Sequence, residues 1–452
     1  MSVNERANFG SKIGVILASA GSAVGLGNIW RFPSELGSNG GAAFLLVYLL
    51  CIVFLGLPVM VSEFLIGRRS QANTASAYQK LAPGTKWHLV GLMGVFSAFL
   101  ILSYYVVVAG WTLEYTVAAA TNSFSQGTDY TGFFNDFVSN PWKSSLYVIL
   151  FMLLTHVVII RGVTEGIEKF SKVMMPLLLF IICVLVICAF SMPGASEGLN
   201  FLLKPDFSKI TTKVVLSAMG QAFFSMSLGM GCLCTYASYF GRDTNLLRTA
   251  ASVGAIDTMV AVMAGIIIFP AVYSVPGLSV DAGPSLVFVT LPNVFNIAFH
   301  NAPVLGYIFS VMFYVLLVLA ALTSTISLHE VVTAYIHERF KLTRKTGAYI
   351  VTVSCTLLGI LCALSFGVLK GATLFDMNLF DLFDFVSAKF LMPLSGMLIA
   401  IFTGWYLERK IVRDEVTNYG TIRMPLFKLY IFLLKYFAPI AIMTIFVNEL
   451  VK

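Results

Sequence analysis

The feature that most constrains this chain is a glycine-rich interruption within its first long apolar segment, Gly21-Ser-Ala-Val-Gly-Leu-Gly-Asn28, followed at once by Ile29-Trp-Arg-Phe-Pro33. Each glycine weakens a helix by about 1 kcal/mol relative to alanine. In hydrocarbon, every backbone N–H or carbonyl released from a helix costs several kcal/mol unless another group bonds it. A helix broken at this depth therefore needs a bound cation, a bound solute or water as a partner.

The composition places this interruption inside a membrane. Hydrophobic residues make up 58% of the 452 residues and charged residues 11%, whereas soluble domains carry about 25% charged residues. Because a membrane span needs about 20 apolar residues, we predict eleven spans, at about 12–36, 41–67, 88–121, 144–160, 166–191, 212–240, 245–273, 304–338, 346–367, 380–407 and 427–450.

Lysine and arginine are concentrated in alternate loops, which predicts a multi-pass protein of the cell (inner) membrane with a cytoplasmic N-terminus and an external C-terminus. The first residues lack the pattern of a cleaved signal peptide. The basic residues form no tract and the seven cysteines lie in apolar segments. We therefore expect the lipid bilayer as a partner, with no nucleic acid, disulfide, metal centre or obligatory protein partner.

The sixth span is interrupted in the same way as the first, because residues 221–231 (QAFFSMSLGMG) place hydroxyls and glycines midway along it. Interrupted segments at matching positions of two five-span halves indicate an inverted-repeat transporter with its sites at the breaks. We predict one all-α membrane domain with a first five-helix repeat at 12–191, an inverted second repeat at 212–407 and an extra helix at 427–450. The alternative is that these glycines only let helices pack closely.

Several polar residues fall within the predicted spans, where they mark functional sites. The eighth span carries three consecutive hydroxyls, 323–325, although hydroxyls in membrane helices commonly bond back to the preceding turn. Carboxylate, hydroxyl and carbonyl oxygens are ligands that hard cations prefer, so sodium is a candidate. Five ionisable residues within the spans stand out: Arg31, Glu63, Asp257, Glu330 and Asp384. The proline-rich segment 274–303 predicts either an outer lid or a packed surface loop.

The run GSAVGLGNIWRFP, with 40–44 (GGAAF) and 220–225 (GQAFFS), resembles the neurotransmitter:sodium symporter family, and within it the bacterial eleven-span amino-acid transporters. The resemblance extends from about Lys12 to the eleventh span. It implies the LeuT-type fold, in which helices 1 and 6 of two inverted five-helix repeats are broken. It also implies sodium-coupled uptake of amino acids by alternating access.

The resemblance further implies two bound sodium ions. The first ion would be held, together with the substrate carboxylate, by Ala23, Asn28, Ser225 and Asp257. The second ion would be held by the carbonyls of Gly21, Val24 and Ala320 and by the hydroxyls of Thr323 and Ser324. Amide and carbonyl groups released at a broken helix suit these roles.

The same resemblance bears on the substrate. Amine-transporting members carry an aspartate where this chain has Gly25, so the substrate should bring its own carboxylate. The implied wall carries no charge, which predicts a neutral, hydrophobic or aromatic L-amino acid. The substrate-binding residues would be Ala23, Gly25, Gly27, Ile101, Tyr105, Phe224, Ser225, Ser227, Met230, Ser324 and Leu328.

Chloride-dependent members have a neutral residue at the position of Asp257, so we expect transport without chloride, although Ala261 replaces the glutamate of some chloride-independent members. By resemblance, an outer gate would pair Arg31 with Asp384, above Tyr105 and Phe224. An inner gate would pair Arg6 with Glu338, beside Phe9 in place of the usual tryptophan. The segment between Gly166 and Pro176 would unwind at the cytoplasmic end of the fifth span; a static proline kink is an equal alternative.

Other classes fit the sequence less well. The five histidines are scattered and no nucleophile–base spacing appears, so we expect no enzyme. A channel would more often show a symmetric pore-lining repeat than two breaks with aromatic residues beside them. A sensor on this scaffold would need a soluble domain through which to signal.

Overall fold

The computed structural model describes residues 8–124, 128–275 and 285–451. Within these ranges nine continuous helices are long and apolar enough to cross a bilayer. They are Ala42–Ser70, His88–Ala120, Pro141–Ile159, Val163–Ala189, Leu246–Tyr273, Pro303–Phe340, Arg344–Leu364, Leu379–Tyr406 and Phe427–Leu450.

Two further spans are broken. The first consists of Lys12–Ala23 and Gly27–Ser38, which meet at an angle of 55°. The sixth consists of the α-helices Thr212–Ser225 and Cys232–Ala237, which are too short to cross a bilayer separately. Counting both broken spans with the nine continuous helices gives the eleven predicted spans in the predicted order. The proposed division into repeats at 12–191 and 212–407 stays a prediction.

The backbone conformation explains both breaks. Val24 ends the first half-helix in an extended conformation, with φ −69° and ψ 114°, so the chain cannot continue as a helix there. In the sixth span the left-handed region is occupied by Ser227, Gly229 and Gly231, with φ of 53°, 80° and 78°. Glycine adopts this conformation without a steric penalty, which accounts for the spacing of the glycines in this segment.

The second and sixth spans pack closely enough to require glycine at one position. A Cβ atom built on Gly67 would lie 2.1 Å from the carbonyl oxygen of Cys234. The close approach brings the buried Glu63, one turn earlier on the second span, beside the break in the sixth span. Close helix packing is therefore also a role of glycine here, at positions other than the breaks.

Shorter helices connect the spans: Thr74–Leu81, Tyr130–Ser139, Ala195–Leu203, Leu286–Ala298 and Arg409–Val416. The apolar helix Leu286–Ala298 belongs to the segment predicted to form an outer lid. Its Phe288 ring lies 6.2 Å from the ring of Trp30 and 4.9 Å from that of Tyr115. The helix thus packs over the end of the first break, while residues 276–284 of the same segment lie outside the described residues.

Candidate functional site

The two helix breaks lie against each other and are held by side chains from the second and sixth spans. The Ser227 hydroxyl donates to the carbonyl of Ser22 over 2.8 Å and so joins the sixth span to the first. The Gly229 N–H, released by the second break, donates to Glu63 Oε1 over 2.8 Å. Glu63, singled out in the sequence as a buried ionisable residue, thus satisfies the broken backbone of the sixth span.

Around Asp257 the structure brings together the side chains expected at the first sodium site. The Asn28 amide nitrogen lies 2.7 Å from Asp257 Oδ1, and the Ser225 hydroxyl lies 2.8 Å from Oδ2. Tyr48 donates to Oδ2 over 3.4 Å. Ala23 lines the adjacent cavity together with Asn28 and Ser225. Asp257 is completely buried, and the described part of the chain places no cationic side chain in ion-pair distance of its carboxylate.

A second cluster of oxygen atoms joins the eighth span to the first break. The hydroxyls of Thr323 and Ser324 lie 3.3 Å and 3.4 Å from the carbonyl oxygen of Val24. Thr323 also donates to Ala320, 2.9 Å away, as hydroxyls in membrane helices commonly do. Gly21 lies beside Thr323, since a Cβ built on this glycine would be 3.4 Å from Thr323 Cβ. The five residues expected at the second sodium site therefore lie together.

The third hydroxyl of the eighth span has a structural role instead. Thr325 donates to the Leu322 carbonyl over 3.0 Å and lies 2.8 Å from the Thr155 hydroxyl of the fourth span. It therefore faces away from the first break.

A cavity of about 60 Å³ lies between the two breaks and the third and eighth spans. Its wall contains all eleven residues expected to bind substrate, and no charged side chain is among its lining residues. Tyr105 forms part of this wall, and its hydroxyl accepts the N–H of Leu26 over 3.2 Å. A Cβ built on Gly25 would point at Ser324 Oγ, 2.5 Å away.

Sequence reasoning missed four residues of the cavity wall: Ser22, Tyr104, Cys232 and Ser327. Two of them could have been found from spacing. Ser327 follows Ser324 by three residues and therefore lies on the same helix face, and Cys232 comes directly after the last glycine of the second break. Of the other two, Ser22 lies beside the irregular backbone of the first break, and Tyr104 lies next to Tyr105 on the regular helix His88–Ala120.

On the side of Arg31 a wider cavity of about 390 Å³ adjoins this smaller one, and Tyr105 and Phe224 line both. These two rings therefore separate the cavities, as an aromatic lid would. The Arg31 guanidinium lies over the Phe224 ring, 4.3 Å from its centroid, whereas Asp384 accepts from Tyr104 over 2.9 Å. Both expected outer-gate residues line the wider cavity, but the described residues show no direct ion pair between them.

At the opposite end, Glu338 accepts two hydrogen bonds from Asn73, from its N–H over 2.9 Å and from its side chain over 2.8 Å. Arg6, the expected partner of Glu338, lies outside the described residues. The Phe9 ring contacts those of Tyr236 and Tyr239 edge-on at 6.0 Å and 6.1 Å. Phenylalanine at this position therefore closes the end of the sixth span by aromatic packing, without a side-chain hydrogen bond.

The fifth span begins with a wide π-helical turn, Val163–Glu168, and continues as the α-helix Lys169–Ala189 around Pro176. The segment expected to unwind is helical in this structure, and its unwinding stays a prediction. Gly166 has a packing role that the sequence did not reveal, because a Cβ at this residue would lie 2.2 Å from the Val158 carbonyl oxygen.

Replacement of Gly166 by alanine should destabilise the folded protein. The methyl group must push the fourth and fifth spans apart, and overpacking of this kind costs about 1–3 kcal/mol. The measurement is thermal unfolding of the detergent-purified variant. Gly371→Ala is the matched control, since a Cβ there meets no atom within 4 Å; equal unfolding temperatures for the two variants would contradict the packing role.

The described geometry defines a class of protein: an all-helical membrane protein in which two broken spans line a cavity and place carbonyl and hydroxyl oxygen atoms beside it. The chain belongs to the sodium:neurotransmitter symporter family, whose model matches residues 6–136 and 133–452. It is therefore a sodium-dependent transporter and not an enzyme.

Individual relatives cover the whole chain. The crystal structure of MhsT in complex with L-phenylalanine superposes with a TM-score of 0.88 at 44% sequence identity, covering 98% of this chain and 100% of that one. The uncharacterized sodium-dependent transporter YhdH of Bacillus subtilis is 39% identical over 450 residues, which cover 99% of this chain and 98% of YhdH. A sodium-dependent transporter of Haemophilus influenzae is 34% identical with the same coverage. The predicted LeuT-type fold is thereby confirmed.

Proposed function

We propose that this protein is a sodium-coupled symporter that takes up neutral hydrophobic or aromatic L-amino acids by alternating access. The observation that carries the proposal is the cavity between the two breaks, whose lining includes no charged side chain. Charged amino acids would enter such a wall without a partner, at a cost of several kcal/mol. The crystal structure of MhsT, 44% identical, holds L-phenylalanine, which is a substrate of the proposed class.

Gly25 supports a substrate that carries a carboxylate. The space beyond this glycine is limited by Ser324 Oγ, so a side chain there would take up room within the cavity. The substrate carboxylate would instead complete the first sodium site with Ala23, Asn28, Ser225 and Asp257, and neutralise the ion from the cavity side. A second ion would bind between Val24, Thr323 and Ser324. We infer a requirement for two sodium ions and none for chloride, because Asp257 supplies a fixed negative charge.

The small volume of the cavity between the two breaks, about 60 Å³, means that side chains must move when a large substrate enters. Met230 is the flexible member of the wall, and methionine adapts to several shapes at little cost. We infer that several apolar side chains are accepted. The concentration of lysine and arginine in alternate loops supports a cytoplasmic N-terminus and an external C-terminus.

Uptake into proteoliposomes tests the function. With sodium outside and potassium inside, labelled leucine, phenylalanine and tryptophan should accumulate, and replacing sodium by choline should reduce accumulation to the level of protein-free vesicles. Aspartate and lysine should not accumulate. Uptake that is indifferent to sodium would contradict the coupling, whereas sodium-driven uptake of aspartate or lysine above that of leucine would contradict only the proposed substrate class.

A further inference from the structure

A second polar pocket lies far from the substrate cavity, at the face of the molecule where the first span begins. It has a volume of about 290 Å³, near the lower end for ligand pockets. The pocket is formed where the second span ends, beside the loop after the sixth span and the helix Arg409–Val416. Its lining residues are Arg68, Arg69, Gln71, Arg242, Glu415 and Tyr419.

Arg68 and Glu415 form a neutral floor. Both side chains are only 2% exposed, and the Arg68 guanidinium lies 2.7 Å from Glu415 Oε2. Arg68 also donates to Asn418 Oδ1 over 2.9 Å and to the Thr244 carbonyl. This ion pair is therefore fully engaged within the protein and leaves no net charge on the floor.

The rim carries the excess charge. Arg69, whose side chain is 35% exposed, contacts Glu415 Oε1 at 3.4 Å, but that carboxylate is already neutralised by Arg68. Arg242 is exposed, and the described ranges contain no ion-pair partner for it. Its neighbour Asp243 pairs with Lys12 instead, at 3.3 Å. The three arginines and one glutamate that line the pocket therefore leave it with an excess of two positive charges.

The rim is also conformationally fixed. Gln71, Asn418 and Tyr419 are non-glycine residues with positive φ, at 46°, 43° and 56°. Such conformations cost about 1 kcal/mol or more each, and they cluster at ligand clamps. The Tyr419 hydroxyl accepts from Arg69 over 2.7 Å and donates to Glu415 over 3.1 Å. The arginine at the rim is thus held in place before any ligand binds.

We propose that this pocket binds a phosphate group, either that of an anionic phospholipid or free phosphate. Arginine guanidinium groups match phosphate oxygens in charge and in hydrogen-bond geometry. The exposed Trp405 and Tyr406 end the tenth span just before the helix that carries Glu415, and exposed aromatic residues mark the level of lipid head groups. The excess of lysine and arginine in cytoplasmic loops accounts for basic residues on this face. It does not account for the convergence of Arg69 and Arg242, from different segments, on one preformed pocket.

The test uses the full-length purified protein in phosphatidylcholine nanodiscs, with binding of added phosphatidylglycerol counted by native mass spectrometry. One tightly bound phosphatidylglycerol is expected. Each arginine near an anionic lipid surface contributes to the free energy of lipid binding. Arg69→Gln and Arg242→Gln should therefore each weaken phosphatidylglycerol binding about fivefold. Arg161→Gln removes another exposed arginine and should leave binding unchanged. The measurement does not depend on transport.

Inorganic phosphate distinguishes the two sources of the ligand. If millimolar phosphate displaces the tightly bound phosphatidylglycerol from the wild type and equally from Arg161→Gln, whose pocket is intact, the pocket takes free phosphate as well. If phosphate has no effect, and Arg242→Gln nevertheless binds phosphatidylglycerol more weakly than the wild type does, the ligand is the phospholipid. Equal phosphatidylglycerol binding by the wild type and the Arg69→Gln/Arg242→Gln double variant would overturn the proposal.

Discussion

Gly25→Asp should abolish amino-acid uptake, with a loss of about 100-fold or more. The Cβ of the new side chain would lie 2.5 Å from Ser324 Oγ and 3.4 Å from the Tyr105 hydroxyl. Overpacking costs about 1–3 kcal/mol, and the added carboxylate would occupy the place of the substrate carboxylate. Together these effects exceed the roughly 2.7 kcal/mol that corresponds to 100-fold. Initial uptake rates in proteoliposomes measure the loss.

Two variants separate the charge of this substitution from its bulk. Gly25→Ala adds only the methyl group, and because the Ser324 hydroxyl can rotate away, its loss should be about tenfold or less. Gly371→Asp introduces the same carboxylate where a Cβ has no neighbour within 4 Å, so its uptake should match the wild type. Gly25→Asp protein that retains half of the wild-type uptake would show that the substrate carboxylate binds elsewhere.

Sequence reasoning located this site because its residues are chemically conspicuous. Glycines, an amide and a carboxylate in apolar spans cannot be explained by lipid contact, so their positions predicted both breaks and oxygen ligands for a cation. The set of residues around Asp257 was implied by the family resemblance. In the structure a cavity lies where the two breaks meet, which is the position predicted for the site. Wall residues at regular helix positions, such as Ile101 and Leu328, were predicted from the family resemblance and not from their chemistry.

Contacts between distant segments could not be predicted. Glu168 accepts from the Gly10 N–H over 2.7 Å and from the Ser11 hydroxyl over 2.9 Å, and so joins the start of the first span to the fifth. It is an ordinary glutamate near the start of the predicted fifth span, and nothing in its local pattern indicates a partner 158 residues away. The packing role of Gly166 and the left-handed rim at Tyr419 likewise depend on the tertiary approach of other segments.

The contact with Glu168 links the expected second sodium site to parts of the chain that would move during transport. The N-terminal half of the first span carries Gly21 at one end and the Glu168 contact at the other. If the first half-helix tilts to release sodium, the hydrogen bonds to Glu168 must break or the fifth span must follow. The wide turn Val163–Glu168 is therefore the place where the fifth span could adapt, which gives the expected unwinding a physical location.

The second large effect is expected for Asp257→Asn. The carboxylate is fully buried and receives hydrogen bonds from Asn28, Ser225 and Tyr48. If sodium is its counter-charge, removing the carboxylate charge leaves a buried ion unpaired. Losing one partner of a buried pair costs about 3–5 kcal/mol. In chloride-free buffer, uptake at fixed sodium should therefore fall by about 100-fold or more.

Chloride then provides the decisive comparison. Wild-type uptake should be equal in chloride and in gluconate, because Asp257 supplies the negative charge beside the first sodium site. In Asp257→Asn, chloride should restore part of the uptake, since a mobile anion can take over the lost charge next to Tyr48 and Ser225. Asp206→Asn, the same substitution at an exposed aspartate, should behave as the wild type in both buffers. A wild-type protein that loses uptake in gluconate, or an Asp257→Asn protein with unchanged sodium dependence there, would refute the assignment of Asp257 as the fixed counter-charge.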